Sequence, residues 1–137
     1  MKNLLIVLLF VTISNAKVSI KNSDYTNSQL ILGYWSFTYI EKGFTFYSEY
    51  LYKKDGTKEG IAEACINKKC KKSTFESNWK IKKGFLISSV QKSSSEDLPV
   101  GIEIKDRILK LDNNVMVLLS KYGEEKDIRL KKPRFFK

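Results

Sequence analysis

Few residues in this chain are equipped for chemistry. The 137 residues include no histidine and two cysteines. The commonest general base is therefore absent, and the ligand clusters that metal sites need do not occur. Ser89-Val-Gln-Lys92 has the spacing of a serine nucleophile with a lysine partner. That pair works from the start of a helix, whereas this segment reads as strand and loop. No glycine-rich phosphate loop is present. Glu49 and Glu63 are isolated carboxylates that nothing in the spacing pairs. No catalytic residue, metal or cofactor is assigned, and the chain reads as a protein other than an enzyme.

Cys65 and Cys70 flank four residues at the tip of an expected hairpin. Facing positions on adjacent antiparallel strands are close enough to be bridged, so a disulfide is expected. The loop it closes is short, and the chain-entropy gain is roughly 2 kcal/mol. A redox pair would use a two-residue gap beside a helix.

The aromatic residues point to binding. Phe44 to Lys53 alternates Phe44, Phe46, Ser48, Tyr50 and Tyr52 on one face of a strand. If that face points inward, the rings supply an apolar wall and Ser48, Tyr50 and Tyr52 supply hydroxyls, the usual make-up of a small-molecule site. Phe46, Ser48, Tyr50 and Trp79 are the candidate lining. The competing reading is that the rings simply fill a core.

These residues need elements to position them. Short apolar segments with period two alternate with turn residues from Leu30 onward, which predicts an all-β antiparallel meander of eight or nine strands. Lys54-Asp55-Gly56 and Lys83-Gly84 are hairpin turns. The small residues Gly60, Ala62 and Ala64 imply a bend or a close neighbour. A break is expected at Glu76-Ser77-Asn78, and a bulge near Asp106-Arg107, where the apolar parity slips. Closing such a meander into a barrel removes its edges. In a closed barrel the first and last strands are neighbours, so Arg129 would stack on Trp35, two residues after Gly33, and seal one end.

Four segments follow. Residues 1–16 read as a secretory leader: Met1-Lys2-Asn3, the apolar run Leu4 to Ile13, and small residues at Ser14 and Ala16. The apolar run is shorter than the roughly 20 residues a membrane span needs. No cysteine stands at the cleavage point, so no lipid anchor is expected, and the protein is placed in the periplasm or outside the cell. Residues 17–29 are polar and without period, read as a loose extension. Residues 30–132 form the barrel and 133–137 a tail. The formal charge is +10. Scattered lysines keep strand ends soluble. A basic surface also suits an anionic envelope component or a partner protein, with clusters at Lys68, Lys69, Lys71 and Lys72 and at Lys80, Lys82 and Lys83. A nucleic-acid partner is not expected, and a monomer is.

Gly33-Tyr34-Trp35 near one end and Arg129 near the other resemble the lipocalin and calycin signature. Between them, Lys54-Asp55-Gly56-Thr57, the stretch Trp79 to Leu86 and the stretch Gly101 to Leu111 resemble small bacterial lipocalin-like domains. The resemblance implies a barrel and a structural role for Gly33, Trp35 and Arg129 and says little about activity; the aromatic face is what makes a small apolar or amphipathic molecule the expected ligand. Two features depart from it. Glu41-Lys42-Gly43 replaces the long first loop of lipocalins, and nothing after Lys131 is long enough for their terminal helix. The cavity is accordingly expected to be small or filled.

Overall fold

The computed structural model describes residues 22–136. The expected leader, residues 17–21 of the expected extension and residue 137 lie outside the described residues. A short helix α1 (Asp24–Leu30) precedes eight strands: β1 (Gly33–Glu41), β2 (Phe44–Tyr52), β3 (Thr57–Ile66), β4 (Lys69–Lys82), β5 (Phe85–Ser93), β6 (Glu103–Leu111), β7 (Val115–Ser120) and β8 (Gly123–Arg129). Each strand pairs antiparallel with the next, and β8 returns to β1, giving a closed barrel. The meander read from the turn spacing is therefore present, with eight strands.

The expected break at Glu76-Ser77-Asn78 is absent. β4 runs unbroken for 14 residues and absorbs the irregularity as a register shift between Glu76 and Ser77. Glu76 and Asn78 are exposed while Ser77 is buried, so the polar run is a strand with one wet face. The bulge in β6 lies between Ile108 and Lys110, slightly beyond the expected position. The hairpin tip between Cys65 and Cys70 carries two left-handed residues, Asn67 (φ 48°) and Lys68 (φ 68°). This is the tight two-residue turn that matches strand twist. The two cysteines face each other across β3 and β4 and form a disulfide.

The expected loose extension is corrected over residues 24–29, which are helical. The Ser23 hydroxyl caps α1 by accepting from the Thr26 amide at 3.1 Å. The Asp24 carboxylate accepts from the Lys83 and Gly84 amides of the β4–β5 turn, at 2.6 and 2.9 Å. Asn22 donates its side-chain amide to the Leu111 carbonyl at 3.0 Å. These bonds fasten α1 across one end of the barrel. Ile31, which follows the helix, is fully buried with Trp35, Tyr52, Leu111 and Met116.

The same end holds the seam. β1 and β8 pair at Trp35–Arg129 and Ser36–Ile128. The Arg129 guanidinium lies 4.3 Å from the Trp35 ring centroid. It donates to the Leu32 carbonyl at 2.6 Å and to the Leu30 carbonyl. The indole N–H donates to the Ile31 carbonyl at 2.7 Å. Gly33 has φ +112°, and a Cβ there would stand 3.0 Å from the guanidinium, so glycine serves both backbone and packing at this position.

The tail after Pro133 turns back over the outside of β2. Glu49 points outward, yet it is fully buried. Its carboxylate accepts from the Arg134 and Phe135 amides at 2.9–3.0 Å and from the Tyr47 hydroxyl at 2.7 Å. Phe135 meets Tyr47 edge-on, and Phe136 packs on Tyr34. Burial pushes the Glu49 carboxyl up. The Phe135 amide, the Tyr47 hydroxyl and the Arg134 amide and guanidinium outweigh it and hold the group below its ordinary 4.5.

Two outcomes follow from these contacts. Arg129→Met removes the bonds to the Leu30 and Leu32 carbonyls and should cost roughly 2–4 kcal/mol in urea unfolding, with an unchanged β-sheet spectrum. The tail is held by a carboxylate with a lowered pKa, so its docking is complete above the ordinary value and is lost as pH falls through the folded one. On acidification below 4.5, the amide proton resonances of Arg134 and Phe135 should move together toward random-coil positions.

Candidate functional site

Period-two alternation decides what enters the barrel. β2 sends in Phe46, Ser48, Tyr50 and Tyr52, and β3 sends in Lys58. β4 contributes Phe75 and Ser77, and β5 contributes Leu86, Ser88 and Val90. β6 contributes Ile104 and Asp106, β7 Leu118, and β8 Glu125 and Asp127. They enclose a cavity of about 260 Å³. Leu98, from the loop between β5 and β6, also borders it. Phe75 lies so close to Gly60 that a Cβ there would run into its ring, so the missing side chain lets the phenyl group form the wall.

Phe46, Ser48 and Tyr50, candidates from the sequence, lie on this cavity. Trp79 does not line it. Its ring packs edge-on against Tyr52 at 5.6 Å, and its N–H donates to the Lys53 and Thr57 carbonyls at 3.2 and 2.9 Å. Trp79 thus belongs to the packing beside the closed end. Gly33, Trp35 and Arg129 meet at that end, as described. Ser89 and Lys92 do not come together with other reactive groups: Lys92 pairs with Glu76 at 3.3 Å on the surface.

Four charged residues of the cavity were not read from the sequence: Lys58, Asp106, Glu125 and Asp127. The Lys58 ammonium rests on the faces of Tyr50 and Tyr52, 4.4 and 4.8 Å from their centroids, with Phe75 at 5.6 Å. Asp127 is 1% exposed, and neither of its oxygens has a hydrogen-bond partner of good geometry. It lies beside Tyr50 and Glu125, and the Tyr50 hydroxyl, buried as well, is equally without a partner. Burial first, and the Glu125 charge second, push the Asp127 carboxyl up to about 8. Burial also raises Glu125 and Asp106 and lowers Lys58.

Outside the barrel, an open groove of about 570 Å³ runs along β3, β4 and β5 to Phe135 and Phe136. Among the described residues, three metal-ligating atoms come within 4.8 Å of one another at Glu63, Cys65 and Cys70. The two sulfurs there are bonded to each other, so they are not thiolate ligands.

The eight-stranded antiparallel barrel, closed at one end by an Arg-on-Trp stack, is the barrel that the lipocalin resemblance implied. The chain superposes on a lipocalin-like protein from Bacteroides uniformis with a TM-score of 0.53 and 13% identity, over 74% of this chain and 99% of that one. No family model and no curated protein matches it. The likeness establishes the fold: the chain is a lipocalin-like β-barrel.

The interior carboxylates set a pH dependence. Asp127 is held at about 8 in the folded chain against 3.8 ordinarily. Between those values the folded protein keeps a proton that the unfolded chain has released. Stability is therefore fullest below the ordinary value and falls as pH rises toward 8, by up to about 1.4 kcal/mol per pH unit. The raised Glu125 and Asp106 add to this slope, the lowered Lys58 opposes it, and no histidine intervenes. Urea unfolding between pH 5 and 8 should show the decline in the wild type and a flatter profile in Asp127→Asn.

Proposed function

We propose that this chain is an exported binding protein that holds a small amphipathic molecule inside its barrel. The observation that carries the reading is the cavity of about 260 Å³ at the barrel's centre. It combines an apolar wall of Phe46, Phe75, Leu86, Val90 and Leu118 with hydroxyls and charges, the composition of small-molecule sites generally. At about 260 Å³ it falls just below the roughly 300–1,000 Å³ of drug-sized ligand sites and suits a compact molecule rather than a long-chain lipid. The fold supports a binding role over an enzymatic one, since lipocalin-like barrels are typically binders. The disulfide supports an oxidising compartment, in keeping with the leader read from residues 1–16. No helix among the described residues is long and apolar enough to cross a membrane.

A second reading rests on the lysines at the β3–β4 hairpin. Lys68, Lys69, Lys71 and Lys72 are all exposed, and they offer a basic surface to an anionic envelope component or a partner protein.

Native mass spectrometry of protein taken gently from its own compartment, beside a denatured sample, tests the first reading. Extra mass that disappears on denaturation is the expected result. A bare mass in both samples overturns it, and salt-sensitive binding to anionic vesicles would then favour the second.

A further inference from the structure

We infer that the ligand of this cavity is a compact organic cation, a primary ammonium on a small apolar skeleton, whose charged end docks between Asp127 and the Tyr50 hydroxyl. The inference deepens the carrier reading and rests on it. Asp127 and Tyr50 both line the cavity, and the two Asp127 oxygens and the Tyr50 oxygen make no hydrogen bond of good geometry, although Tyr50 and Glu125 stand close enough to Asp127 to interact with its carboxyl. A primary ammonium has three N–H donors and no acceptor, so its capacity matches what is left unsatisfied. Leaving buried polar groups unpaired is costly, and a cation would relieve that cost.

The charges agree with this assignment. Asp106 from β6 and Glu125 and Asp127 from β8 face the cavity, against a single lysine, Lys58 from β3. The remaining ionisable groups facing Asp127 are the hydroxyls of Tyr50 and Tyr52 from β2, both held well above their ordinary value by burial and by the nearby carboxylates. They are neutral at any ordinary pH. Lys58 alone cannot balance these carboxylates once they ionise, and an added cation favours their ionised forms. Lys58 already shows that an ammonium is accommodated here, because it lies against three aromatic faces. A metal ion is a poorer fit. Among the described residues Asp106, Glu125 and Asp127 do not each bring an oxygen within 4.8 Å of the other two, whereas an organic cation can extend from one carboxylate along the apolar wall. Long-range attraction plays no part, since the chain as a whole carries +10.

The test uses three probes of one shape: benzylamine, neutral benzyl alcohol and anionic benzoate. Calorimetry on the full chain freed of its leader, at neutral pH, should show the amine binding at least about tenfold more tightly than the alcohol, and benzoate not at all. Repeating the titration in buffers of different ionisation enthalpy should reveal net proton release, because the docked cation drives the Asp127 proton off. Asp127→Asn should remove the preference for the amine and the proton release. Glu125→Gln should weaken the amine several-fold, which keeps the test available if the first variant does not fold. Equal binding of amine and alcohol, or amine binding unchanged in both variants, overturns the inference and leaves the carrier reading standing. No amine binding at millimolar concentration also overturns it. A bound mass in the native spectrum of the isolated protein separately decides whether the cavity carries anything.

Discussion

The barrel depends on a narrow seam. Seven of its eight strand junctions join consecutive strands, six through connections of two to four residues and the seventh, β5 to β6, through a longer loop. The eighth, β1 to β8, joins residues almost a hundred positions apart and records pairing at Trp35–Arg129 and Ser36–Ile128. Loop closure of that length has to be offset by contacts at the point of closure. Arg129 provides them. Its guanidinium covers the indole and ties the carbonyls of Leu30 and Leu32, which belong to the segment joining α1 to β1. One side chain therefore couples the last strand, the first strand and the end of the helix. The left-handed Gly33 leaves room for it.

From that fastened end the molecule separates its charges. Lysines populate the outside, whereas three carboxylates and one lysine sit within. Glu49 stands apart from both populations. It is an outward residue made inaccessible by the tail, and fully hydrogen-bonded. The contrast with Asp127 is informative. Two buried carboxylates shift in opposite directions because donors outweigh burial at Glu49, whereas burial and the neighbouring Glu125 charge prevail at Asp127.

Much of the fold was legible in the sequence because turns and period two are local signals. Asp-Gly and Lys-Gly pairs mark hairpins, and the aromatic alternation in β2 identifies its inward face. The helix was not legible: seven residues, mostly polar, give too short a window for a helical period. Its one local sign was Ser23 as a cap. The polar stretch at Glu76–Asn78 looked like a break because a long strand with one solvated face has the composition of a loop. The interior acids were missed for a similar reason, since Glu124 to Asp127 reads as a solvated charge run. A usable signal was present. Arg129 had to face Trp35 inside the barrel, and residues two and four positions before it share its face, which places Asp127 and Glu125 within.

The seam also sets how stiff the wall is around the cavity. A strand gains rigidity from neighbours on both sides, and β8 has its second neighbour only near its end, at Ile128 and Arg129. The residues before that point, Glu125 and Asp127 among them, are laddered to β7 alone. The acidic side of the chamber is thus carried on the part of the wall with the fewest cross-links. The opposite side, built from β2 to β5, is continuously paired. The barrel is mechanically lopsided: a firm aromatic wall faces a compliant charged one.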